Sequence, residues 1–136
     1  MPAWCIFAIV TLLVWGVWGL LPKLATNYLS PLSVMVFGGV GSVLVAVAVL
    51  AFQSFRPDIH SKGVIFAILS GLVGTLGTIP FLYALSKGRA SVVVPMTSLY
   101  PLVTIILSLL ILREPMTLKL GFGILFALMA LLLFSL

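Results

Sequence analysis

Five long apolar runs separated by short polar connections set the pattern of this chain: residues 2–21, 31–52, 63–85, 91–112 and 117–136. Each holds 20 to 23 residues. A helix rising 1.5 Å per residue crosses a hydrocarbon layer of roughly 30 Å in about that length. The pattern predicts an all-α, polytopic membrane protein with five transmembrane helices in a single domain over residues 1–136. The connections, 22–30, 53–62, 86–90 and 113–116, are too short for an extramembrane domain. Every charged residue lies in or beside one of them, and Lys119 is close enough to a helix end to snorkel. No Lys or Arg precedes the first run, and its first basic residue, Lys23, follows it. A cleaved signal peptide has the reverse order, so the run reads as a retained span.

Projection at 100° per residue turns the runs into faces. In the first helix Trp4, Thr11, Trp15, Trp18 and Pro22 share a sector, beside a stripe of Gly16, Gly19 and Lys23. The membrane interface, where indoles anchor, suits Trp4 and is one reading of Trp18, whereas Trp15 lies deeper. For Trp15 and Trp18 two further readings stay open: lining of a cavity, or plain packing against lipid and helices. Gly38, Gly41, Ser42 and Ala46 line one face of the second helix, and Ala67, Ser70, Gly71, Gly74 and Thr78 one face of the third. Small residues at this spacing let helices approach closely in lipid. Tyr83 points away from those glycines, toward a cavity or the headgroups, and Pro80 marks a bend.

The fourth helix carries the clearest polar pattern: Thr97, Pro101, Thr104 and Ser108 at intervals of four, three and four, with Tyr100 nearby. Either each hydroxyl bonds its own preceding carbonyls, or the stripe lines a cavity. Pro95 and Pro101 both remove backbone donors, and freed carbonyls at membrane depth are tolerated where protein or water reaches them.

Composition fits the membrane assignment. Of 136 residues 63% are apolar and only 7% charged, against about 25% charged in soluble domains. The net charge of +5 is scattered and forms no basic stripe for nucleic acid. Four basic residues (Arg56, Lys62, Arg113, Lys119) fall on one side of the membrane and three (Lys23, Lys87, Arg89) on the other. So slight a bias permits insertion in both orientations and an antiparallel homodimer. Cys5 is the single cysteine, so no disulfide or thiolate metal site forms within one chain.

The chemistry is sparse. Asp58 and Glu114 are the only carboxylates, and both lie in connections, as does His60, which reads as a solvated loop residue. No intramembrane acid is available to carry a proton in the way exchangers use one. Glu114 before Pro115 predicts a carboxylate at the positive end of the fifth helix. Nucleophile, base and orienting group cannot be assembled from this inventory, so an enzyme, a metal site and a cofactor are all unexpected. Lys87 and Arg89 read as headgroup anchors of a tight turn, with Gly88 in a left-handed conformation.

The first-span stretch VWGVWGLLPKLA and the run FLYALSKGRASVVVPMTSLYPLVTIILSLLILREPMTLKLGFGILFALMALLL resemble one EamA-type repeat of the drug/metabolite transporter superfamily. The shared parts are Trp-Gly in helix one, Tyr-Ala-Leu ending helix three, Ala-Ser and two prolines in helix four, and Glu114 before a Gly-containing last helix. The resemblance covers nearly the whole chain. It implies one half of an inverted-repeat transporter for small metabolites or drugs in the plasma membrane of a bacterium or archaeon, completed by a second copy or a paralogous partner and working by alternating access. Carried over by position, the substrate-cavity residues are Trp15, Trp18, Tyr83, Thr97, Tyr100 and Pro101, with Lys23 as a site for anionic groups; Thr11 and Thr104, on the same helix faces, complete the expected cavity. Hinge and packing roles fall to Gly38, Gly41, Gly71, Gly74, Pro80 and Pro95. The related four-span multidrug proteins have a first-helix glutamate that is missing here. Many family members have an arginine in helix two where this chain reads VMVFGGVG. Two other readings accommodate the same pattern: a non-transporting accessory membrane subunit, and a subunit of a lipid-linked-metabolite flippase.

Overall fold

A computed structural model describes residues 3–135, so the expected helix ends at Pro2 and Leu136 lie outside the described residues. All of its regular structure is helical: α1 (Ala3–Thr26), α2 (Pro31–Phe52), α3 (Ser61–Lys87), α4 (Ala90–Thr97), α5 (Pro101–Leu107), a π-helical turn (Ser108–Leu112) and α6 (Leu118–Ser135). Four helical stretches are long and apolar enough to cross a membrane, the fourth being α4 through the π turn. The last helix is shorter, a largely apolar stretch of 17 residues from Leu118 to Phe134. At 1.5 Å per residue it reaches about 26 Å, the lower end of what spans a bilayer. The protein is a multi-pass membrane protein.

The helix ends follow from their caps. Ser30 starts α2: its Oγ accepts from the Ser33 N–H at 3.3 Å, and Pro31 occupies the first helical position, where no N–H is needed. The α2 end closes with Phe55 N–H donating to Leu50 O at 2.9 Å and Ser54 N–H to Ala51 O at 3.0 Å. This is the paired reverse bonding of a Schellman turn, which puts Ser54 at φ 52° and Phe55 at φ 57°. His60 sits at the α3 start, its carbonyl accepting from Val64 N–H at 2.9 Å and its Nδ1 from Gly63 N–H at 3.5 Å.

Three expectations are corrected here. First, α1 does not stop at Leu21. It continues through Pro22 to Thr26, where Lys23, Ala25 and Thr26 are half-buried and Thr26 Oγ1 donates to Lys23 O at 2.9 Å. Packing of that last turn outweighs the single backbone bond that Pro22 removes. Second, Gly88 has no positive φ. Near that end of α3, Leu85 O accepts from Lys23 Nζ at 2.7 Å. Third, Glu114 does not cap the last helix. That position belongs to Thr117, whose Oγ1 accepts from Leu120 N–H at 3.2 Å and whose carbonyl accepts from Gly121 N–H at 3.0 Å.

The chain forms two compact units, one up to Lys87 and one from Gly88. In the first, the core lies at one end. Leu82 and Leu85 are buried, as are Gly19 and Pro22. Away from that end every residue of α1 from Ile6 to Trp18, of α2 from Val36 to Val49 and of α3 from Ser61 to Gly77 is exposed. In the second, α4 packs on α6.

Candidate functional site

In the first unit, the α1 and α3 C-terminal ends are joined by two contacts. Lys23 puts its ammonium on Leu85 O at 2.7 Å, at the negative end of the α3 dipole. Trp18 stacks on Phe81 with ring centroids 5.7 Å apart and planes 15° from parallel. Leu82 and Leu85, on the same stretch of α3, are buried at 2% and 0% exposure. Trp15 and Tyr83 take no part in this cluster and remain 57% and 44% exposed. Thr11 Oγ1 donates to Phe7 O at 2.9 Å, one turn back on its own helix. Phe81 and Leu82 carried no signal in the sequence beyond their apolar character, and Leu85 only its place in the Tyr-Ala-Leu that ends helix three. Only the four-residue step from Phe81 to Leu85, matched by the five-residue step from Trp18 to Lys23, places them at one level.

The glycine faces are open. A methyl group built at Gly38, Gly41, Gly71 or Gly74 meets no atom within 4 Å apart from its chain neighbours and the adjoining backbone of its own helix. Hydroxyls on these faces bond their own helices, Ser42 to Gly38 O at 3.2 Å and Thr78 to Gly74 O at 3.0 Å. Pro80 lies inside a continuous α3.

In the second unit the helix breaks before Pro101, while Pro95 stays inside α4. Residues 98–100 form a turn whose N–H groups reach back three or four residues: Ser98 to Val94 O at 2.9 Å, Leu99 to Met96 O at 3.3 Å and Tyr100 to Thr97 O at 3.2 Å. Thr97 Oγ1 lies 2.8 Å from Val93 O and 3.0 Å from Val94 O, and Ser98 Oγ donates to Val94 O at 2.7 Å. Ser108 Oγ donates to Ile105 O at 3.1 Å. Of the two readings of the hydroxyl stripe, local bonding thus describes the protons of Thr97 and Ser108. Each oxygen keeps lone-pair capacity. Thr104 makes a backbone bond to Tyr100 O at 3.2 Å, and no hydrogen bond joins its hydroxyl to another described residue. Tyr100 is 56% exposed. Beside the break, a groove of about 330 Å³ is lined by Ser98, Leu99, Pro101, Leu102 and Ile105 on one wall and Leu120, Gly123, Ile124 and Ala127 on the other. Ser98 was missed by sequence reasoning because the hydroxyl periodicity runs through Thr97 and skips it.

Among the described residues no group of His, Cys, Asp and Glu could hold a metal ion. The arrangement offers aromatic faces, hydroxyl oxygens and a broken helix.

Comparison with known proteins agrees. An uncharacterized protein of Methanocaldococcus jannaschii is 34% identical over 96 residues, which are 71% of this chain and 69% of the relative, so the two chains are of nearly equal length. No solved structure matches. The sequence profile of the EamA-like transporter family matches residues 2–136, and with helices, breaks and prolines disposed as above, the chain belongs to that family of membrane transporters.

Proposed function

We propose that two copies of this chain, or one copy and a paralogous partner, form a transporter that moves a small organic metabolite or drug across the plasma membrane by alternating access. The family match over residues 2–136 carries this reading. The dimer is supported by the small core: among the described residues Leu82 and Leu85 are the buried large hydrophobic side chains. Lipid covers apolar surface as well as protein does, but a bundle that must hold a solute path needs helix faces in contact. The open glycine faces of α2 and α3 supply such surfaces.

Substrate-facing roles fall to Thr11, Trp15, Trp18 and Tyr83 in the first unit and to Thr97, Tyr100, Pro101 and Thr104 in the second. Lys23 is better suited to holding the α1 and α3 ends together than to receiving an anion, since its ammonium already donates to Leu85 O. Breaking that contact and the Trp18–Phe81 stack would open the tied end of the unit, and the break at 98–100 would give α4 and α5 a hinge. The purified protein in vesicles should exchange a labelled metabolite from a panel in counterflow. Tyr100→Ala or Thr97→Val should cut the rate at least several-fold in folded protein. Undiminished transport in both variants would remove these residues from the path.

A further inference from the structure

We infer that the break between α4 and α5 is a binding site for the hydrogen-bond-donating head of an apolar molecule, an amine, amide or alcohol, and rejects carboxylates and other anions. This deepens the transport reading by naming the class of solute, and it rests on that reading only for the claim that the bound molecule is carried.

The bond inventory of the break is one-sided. Its N–H groups are all spent: Ser98, Leu99 and Tyr100 donate to Val94, Met96 and Thr97 carbonyls, Leu102 donates to Leu99 O at 3.0 Å, Val103 to Tyr100 O at 3.0 Å, and Pro101 has none. The Thr97 and Ser98 hydroxyl protons are spent on Val93 and Val94 carbonyls. What remains is acceptor capacity. Thr97 Oγ1 and Ser98 Oγ keep lone pairs, and no N–H of the described residues reaches Ser98 O, because Pro101 is followed by a Leu102 N–H that serves Leu99 instead. An unpaired carbonyl at membrane depth costs free energy that a donor from a ligand recovers.

An anion finds nothing here. No N–H faces it, no carboxylate-pairing side chain lies within the turn, and the basic residues of this unit, Arg89, Arg113 and Lys119, sit at the helix ends. The Tyr100 phenol can donate once, but its exposed ring favours a cationic or neutral head equally well. A bare metal ion needs a shell of some six oxygens, more than the break provides. The adjoining groove of about 330 Å³, with Ser98 on its edge and Leu99, Leu102, Leu120 and Ile124 in its walls, fits the apolar body.

Three probes of one skeleton separate the cases: 2-phenylethylamine, 2-phenylethanol and phenylacetate, each titrated against the purified full-length protein in detergent with thermal unfolding as readout. The amine and the alcohol should raise the unfolding temperature and phenylacetate should not, a difference of tenfold or more in apparent Kd. Thr97→Val keeps the side-chain volume and removes one acceptor, and should weaken amine binding by about three- to tenfold, the worth of one hydrogen bond. Thr97→Ser should restore it. Gly123→Leu, which projects into open groove space, should abolish binding of both donors. A purely structural Thr97 would lower the unfolding temperature of the free protein without changing the amine-to-carboxylate ratio, and that result overturns the inference. Equal binding of all three probes, tightest binding of phenylacetate, a shift produced by sodium chloride alone, or no binding of any probe also overturns it. If amine binding obeys these variants while no solute is exchanged in counterflow, the site stands and the transport reading fails.

Discussion

Replacing Lys23 by Met tests how the first unit is held together. The substitution keeps the apolar stem and deletes the ammonium that donates to Leu85 O at 2.7 Å. A hydrogen bond from a charged donor contributes about 1.5–3 kcal/mol, and a cation at a helix C-terminus about 0.3–1 kcal/mol. Lys23 is only half-buried, and water at the membrane surface can replace part of what is lost. The expected cost is therefore about 1–2 kcal/mol, which raises the local opening equilibrium of the last α3 turn by roughly five- to thirtyfold. Amide hydrogen exchange in reconstituted protein reads this directly. Amides from Ala84 to Lys87 should exchange faster by that factor in Lys23→Met, while those of α6, in the other unit, stay unchanged. Lys23→Arg should retain most of the protection. Exchange in Lys23→Met within a factor of two of the parent would show that the ammonium does not fasten α1 to α3.

Leu85→Ala should destabilise the first unit by about 1–3 kcal/mol, a packing loss without the full transfer penalty since the alternative environment is lipid; Leu110→Ala, at a position 72% exposed, should cost almost nothing in the same unfolding titration in mixed micelles. Thr117→Ala should cost about 1 kcal/mol by loss of the α6 cap whereas Glu114→Gln should not, measured by helix content against temperature. Ser54→Gly should stabilise the protein by about 1 kcal/mol, because Ser54 holds φ 52° where glycine is strain-free, and an unchanged unfolding midpoint would contradict that. Gly74→Leu fills space that is empty in a single chain, so it should leave the monomer fold intact and weaken the proposed dimer at least tenfold in a vesicle energy-transfer assay.

The sequence by itself determined the solvent and the number of apolar runs. Five largely apolar runs of 20 to 23 residues require lipid around them, and Ser30-Pro31, a capping hydroxyl before a proline, marks the start of α2. It also made the family legible, through the order of tryptophans, prolines and Glu114. What it left open is what depends on partners distant in the chain. The four-, three- and four-residue steps through Thr97, Pro101, Thr104 and Ser108 expose a polar stripe, yet only the three-dimensional bonding decides that the protons of Thr97 and Ser108 turn inward to their own helix. The two prolines of the fourth run look alike in sequence. Pro95 is absorbed inside α4 and the break falls before Pro101, where the turn bonds of residues 98–100 replace the helical ladder. Gly88 resembles a left-handed stop and Lys23 an anion site until the fold brings Nζ of one onto the carbonyl three residues before the other, 62 positions along the chain. Hydrophobic periodicity is local and survives any packing, whereas a hydrogen bond across helices exists only once their ends meet.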